Sequence, residues 1–130
     1  HEKAGALRNE YVIAVTGTDA QDRLITVANR GRHIAVAAPG ADLLVAIPGG
    51  SYEVSSGTSY AAAEVSGIAA LLIERKSELK PEQVRGILTG TAKDLGPKGR
   101  DPEFGAGLAD AYAAVNATET PVARANTGAR

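Results

Sequence analysis

The residue best placed to do chemistry in this chain is Ser59, which closes the hydroxyl-rich run Ser55-Ser56-Gly57-Thr58-Ser59 just before an alanine-rich apolar segment. Short oxygen-bearing side chains of this kind accept hydrogen bonds from the free N–H groups of a first helical turn. From Ala61 the chain reads Ala61, Ala62, Ala63, Val65, Ile68, Ala69, Ala70, Leu71, Leu72 and Ile73, apolar almost all round, which predicts a buried helix. A serine at the head of such a helix has its oxygen beside unpaired N–H groups and the positive end of the helix dipole, where developing negative charge is stabilised. A hydroxyl at its ordinary pKa is a poor nucleophile, so acyl transfer here also needs a base within hydrogen-bond reach and a third group to orient it. Taken alone, the same pattern also describes a capping or first-turn packing serine.

The other side chains offer little help to that serine. His33 precedes an apolar run and is expected in an exposed loop, and His1 stands at the terminus. Asp19, Asp22, Asp42, Asp94 and Asp110 read as turn or cap residues. Gly49-Gly50 and Gly105-Ala106-Gly107 lack the strand, helix and lysine context of a phosphate loop. Gly57-Thr58-Ser59-Tyr60-Ala61 lacks the second glycine of an α/β-hydrolase elbow. No carboxylate or histidine cluster has metal-ligand spacing, so neither a metal nor a cofactor is expected. Arg30, Arg32 and the Arg75-Lys76 pair read as solvated surface.

Gly57-Thr58-Ser59-Tyr60-Ala61-Ala62-Ala63-Glu64-Val65-Ser66-Gly67 resembles the nucleophile motif of the subtilisin-like serine proteases, the subtilases, with Ala63 and Glu64 standing where that motif usually carries proline and histidine. Tyr11-Val12-Ile13-Ala14-Val15 is similar to the family's strand after the substrate-cleft segment. Ile34-Ala35-Val36-Ala37-Ala38-Pro39-Gly40 is similar to its Ala-Pro-Gly turn, and Phe104 to Ala111 to its closing Gly-x-Gly segment. Roughly residues 11 to 117 follow the order of the C-terminal part of a subtilase catalytic domain.

The resemblance implies an α/β fold, the C-terminal part of a subtilisin-like parallel sheet with a β-hairpin leading into a buried central helix. It implies Ser59 as the nucleophile of a Ser-His-Asp endopeptidase acting on protein or peptide substrates. The family's Asp-(Thr/Ser)-Gly and His-Gly-Thr segments are both missing, and so is the Ala-Gly-Asn stretch of its oxyanion asparagine. Asn9 lies close by but in the context Leu-Arg-Asn-Glu-Tyr. The chain is therefore expected to be a fragment, inactive alone, whose catalytic partners lie in an upstream part of the same domain. The parent is expected to be secreted or periplasmic. The alternative is a degenerate, non-catalytic subtilase-fold module for binding or assembly. With the sheet divided between two portions, the piece is expected to expose a strand edge and to self-associate.

The elements that must position Ser59 follow from the pattern. Residues 1 to 10 are polar and aperiodic, and are expected to be an arm. Tyr11 to Val15 and Ile34 to Ala38 read as strands buried on both faces, Leu24 to Ala28 as a short strand between them. Leu43 to Ile47 and Tyr52 to Ser55, separated by Pro48-Gly49-Gly50-Ser51, read as a hairpin. After the Ser59 helix, expected to end near Lys76, Pro81 opens a second helix carrying Val84, Ile87 and Leu88. Lys93 to Glu103 reads as a surface loop, Asp110 as the cap of a last helix through Val115, and 118 to 130 as a flexible tail. A hydrophobic content of 44% in 130 residues supports a core, while a net charge of −1 gives no argument for nucleic acid or an anionic membrane. There are no cysteines, which leaves the redox compartment open.

Overall fold

The computed structural model describes residues 11–119. The expected arm at 1 to 10, with His1 and Asn9, lies outside them, as do residues 120 to 130 of the tail expected at 118 to 130. Thr118 and Glu119 instead close the last helix, their amides donating to the carbonyls of Val115 and Asn116. The order of elements is β1 (Ala14–Thr18), β2 (Ile34–Pro39), β3 (Leu43–Ile47), β4 (Ser51–Ser55), α1 (Thr58–Arg75), α2 (Pro81–Gly90) and α3 (Ala111–Ala117).

β2 is the axis of the molecule. Ile34 to Ala38 are all buried, and the backbone of this strand is hydrogen-bonded along both of its edges. On one side β1 runs parallel to β2, with Thr16 opposite Ala37 and Thr18 opposite Pro39. On the other side the segment 106–109 lies alongside: the Ala106 and Ala109 amides donate to the carbonyls of Ala35 and Ala37, each at 2.8 Å. Gly105, just before that segment, permits this closeness. It adopts φ 60°, and a Cβ there would fall on the Ala35 carbonyl of β2.

The first strand begins three residues later than its apolar run predicts. Thr16 and Thr18, which look like the polar boundary of that run, are instead buried within the strand, each 1% exposed. Their β-branched side chains suit an extended backbone, and pairing with β2 overrides the break in hydrophobicity. The expected strand over Leu24 to Ala28 is reduced to a single antiparallel bridge, Leu24 to Thr18. Asp19 binds the amides of Gln21 and Arg23 and folds that stretch into a tight turn. The chain therefore touches β1 once before turning again, with the Ala28 amide on the Ile25 carbonyl.

The expected hairpin forms, with Ser51 taken from the expected turn into the second strand: Leu43 lies opposite Ser55 and Ile47 opposite Ser51. Its turn uses Gly49 and Gly50 at φ 91° and 76°, which glycine adopts without strain. α1 ends at Arg75 with Lys76 as its C-cap. It buries Ala61, Val65 and Leu72 and packs against β1 and β2. It is not buried all round in this chain, because Leu71 and Ile73 on other faces are about half exposed, 49% and 47%. α2 contributes Val84 and Leu88 to the same core, and α3 contributes Ala114.

Candidate active site

Ser59 is the second residue of α1 and is exposed. Three links hold the turn that delivers it. The Gly57 amide donates to the Gly40 carbonyl at 2.7 Å, the Asp42 amide to Ser56 Oγ at 2.9 Å, and the Tyr60 hydroxyl to Ser55 Oγ at 3.0 Å. Gly57 is the N-cap and lies in extended backbone, φ 166° and ψ 153°. No side chain caps α1, contrary to the expectation that the hydroxyls at 55 to 58 would serve as caps. Ser55 and Ser56 instead receive the tethers from Tyr60 and Asp42. The first turn also carries no acidic residue, so the positive end of the helix is neither capped nor neutralised from within. A Cβ at Gly57 would stand 3.4 Å from Ser59 Oγ, so glycine keeps that approach open.

The arrangement offers a solvent-facing hydroxyl beside free amides. Among the described residues no histidine or carboxylate hydrogen-bonds Ser59. His33 differs from expectation in being half-buried, its ring held against Gly31, where a Cβ would sit 2.7 Å from the ring. It lines a depression of about 180 Å³ with Thr16, Asn29 and Thr58, on the same side of the sheet as the start of α1. Glu64, further along α1, has its carboxyl pushed up from the ordinary 4.5 by partial burial. Among the described residues no three histidine, aspartate or glutamate side chains come together as a metal site.

The aspartates act on turns and caps. Asp110 Oδ1 accepts from the Ala113 amide at 2.9 Å and caps α3, and Asp94 accepts from the Gly99 amide at 2.7 Å. Asp22 and Asp42 occupy left-handed conformations, φ 60° and 54°, at turns. The Asp19 carboxyl is held below 3.8, chiefly by the Arg23 amide, with the Gln21 amide and the Arg23 guanidinium adding to it. Asp101 escaped the sequence reading although Asp101-Pro102 is a turn signal. It is 9% exposed and accepts from the amides of Glu103 and Phe104, closing the loop before the 106–109 segment.

A family model described as the subtilase family matches residues 3–107. Alkaline elastase YaB of Bacillus sp. is 34% identical over 107 residues, which make up 82% of this chain and 28% of that protein. An extracellular serine protease of Serratia marcescens is 40% identical over 65 residues, 50% of this chain and 6% of that protein. Among solved structures, the serine protease MycP1, described as an essential component of the type VII (ESX-1) secretion system, superposes with a TM-score of 0.75 at 33% identity. That match covers 80% of this chain and 31% of the MycP1 chain. The chain thus spans less than a third of the length of each of these proteins.

Proposed function

Because this chain belongs to the subtilase family, we propose that its parent is a subtilisin-like serine endopeptidase in which Ser59 attacks the scissile carbonyl while the histidine and aspartate come from polypeptide upstream. The supporting observation is the exposed Ser59 hydroxyl at a helix start whose amides no side chain caps. In this reading the upstream histidine takes the Ser59 proton as Oγ bonds to the carbonyl carbon, then gives it to the leaving amine. The Ser59 amide donates to the oxyanion, aided by the positive end of α1. A capping side chain would compete for these same donors, and none is there.

In this reading the upstream portion docks on an apolar groove. Two adjoining depressions, of about 230 and 210 Å³, share Tyr11 and Ile13 and run between the start of β1, α1 and α2. Ala62 and Ala69 line the first, Ile73, Leu79 and Val84 the second. In this reading the remainder of the catalytic domain covers that apolar groove, and the 130 residues alone do not hydrolyse peptides. A secreted or periplasmic parent goes with the same reading. The experiment is to express the parent polypeptide and treat it with a fluorophosphonate probe. Labelling is expected and should be lost on Ser59→Ala, with kcat falling by about 10⁶, the magnitude that subtilisin itself shows. No labelling, or labelling indifferent to Ser59→Ala, overturns the proposal.

The absence of a base at Ser59 among the described residues, together with Ala63 and Glu64 in the motif, favours a second reading. In it the parent is a degenerate subtilase-fold module for binding or assembly. An upstream His-Gly-Thr and Asp-Thr-Gly in the parent gene would exclude it.

A further inference from the structure

We infer that Tyr60 is a positioning residue for Ser59, acting through its hydrogen bond to Ser55, an inference that rests on the protease reading above. The problem it answers is one of helix ends. α2 and α3 are each fixed at their start by a side chain: Gln83 Oε1 accepts from the Lys80 amide at 2.9 Å, and Asp110 Oδ1 from the Ala113 amide at 2.9 Å. A cap of the Asp110 kind stabilises a helix start by occupying one of its free first-turn amides. α1 has no such bond. Its Thr58 and Ser59 amides stay available to an oxyanion, while the Tyr60 amide donates to the Gly57 carbonyl, but its first turn loses the restraint that holds the other two.

Tyr60 supplies that restraint from a different direction. It follows Ser59 directly in the first turn, and its ring lies over Gly57, where a Cβ would meet ring carbons at 3.7 and 3.8 Å. From there the hydroxyl reaches back to the last residue of β4 and donates to Ser55 Oγ at 3.0 Å in a partly buried setting. Gly40 and Asp42 reach the approach to the helix, at Gly57 and Ser56. The Tyr60 bond differs in joining the helical turn itself to the strand before it, across Ser59. It fixes the rotation of that turn without using a backbone amide. Ser59 Oγ and its amide are therefore aimed by a side chain that touches neither substrate nor base. Among hydroxyl-bearing side chains, tyrosine is the one whose rigid ring spans this distance with two rotatable bonds, so little freedom is lost in making the contact.

The test compares the parent enzyme with Tyr60→Phe, Ser55→Ala and the double variant. Tyr60→Phe keeps the ring and the packing over Gly57, and each single change removes the same hydrogen bond. Each is expected to lower kcat by about five- to tenfold, the worth of one hydrogen bond expressed in the transition state, with KM nearly unchanged. The double variant should be no worse than either single one, because the pair acts as a unit. Amide exchange at Ala62 and Ala63, whose helical bonds close the turn around Ser59, should rise in parallel in all three. Unchanged kcat, losses that multiply, or a fall confined to KM would overturn the inference while leaving the protease reading intact. A wild-type parent that neither cleaves peptides nor takes the probe would overturn both.

Discussion

The Gly57 amide donates to the Gly40 carbonyl across 2.7 Å, and the two glycines sit so close that a Cβ on Gly40 would stand 2.9 Å from the Gly57 carbonyl oxygen. The same Cβ would lie 3.2 Å from the Gly17 Cα in β1. Both neighbours are backbone, so they cannot swing aside as a flexible side chain would. Gly40→Ala should therefore push the start of α1 away from the sheet and destabilise the chain by about 1–3 kcal/mol, as overpacking does. Thermal unfolding reads the loss, and in the parent a parallel drop in fluorophosphonate labelling should accompany it. An unshifted Tm would refute the account of this contact.

Gly86 is the opposite case. It lies exposed inside α2 with nothing within 4 Å of its Cβ position. Gly86→Ala should stabilise by about 0.4–1 kcal/mol, because alanine loses less backbone entropy in a helix and meets no obstacle. A lower midpoint in urea than wild type would contradict it.

These two glycines also mark what was legible in the sequence. Helical spacing after Pro81 placed α2, and Pro48-Gly49-Gly50 placed the hairpin, because each signal is local. The Ser59 motif likewise carried the family resemblance within eleven consecutive residues. The close contact of Gly40 with Gly57, the burial of Thr16 and Thr18, and the ring of Tyr60 over Gly57 depend on which segments meet in space. Leu24 to Ala28 shows the same limit from the other side, since its apolar pattern is real but the turn held by Asp19 leaves it a single bridge.

Two carboxylates should give opposite pH signatures. Asp19 is held below 3.8 chiefly by the Arg23 amide, so its contribution is present above that value and is lost as pH falls through the lower, folded value. Asp19→Asn should lower Tm near neutrality, with the difference from wild type vanishing in strong acid. Glu64 is raised above 4.5 by burial, so the fold favours its protonated form. Its contribution is complete below 4.5 and is lost as pH rises through the folded value. Glu64→Gln mimics the protonated side chain and should raise Tm near neutrality, with no gain in strong acid. Calorimetric scans across the acid range test both, and a Glu64→Gln gain that grows on acidification would reverse the assigned sign.

The apolar groove gives the last prediction. Gly17 accepts from the Ile25 amide on the side of β1 away from β2, and by strand alternation Val15 presents its own N–H and C=O on that same side. Among the described residues no segment is hydrogen-bonded to that side of β1 at Val15. Such a strand edge beside an apolar trough is a template for pairing, and a net charge of −1 supplies little repulsion between copies. The isolated 130 residues are therefore expected to associate at micromolar concentration in sedimentation velocity. Ile73 lines the groove from α1 and is 47% exposed, so a lysine there keeps helix propensity and disturbs no buried contact. Ile73→Lys should shift the distribution towards monomer while leaving the far-UV circular dichroism unchanged. If the wild-type chain is already monomeric under these conditions, the groove is not sticky enough to recruit a second copy. Its need for cover would then rest on the upstream polypeptide alone.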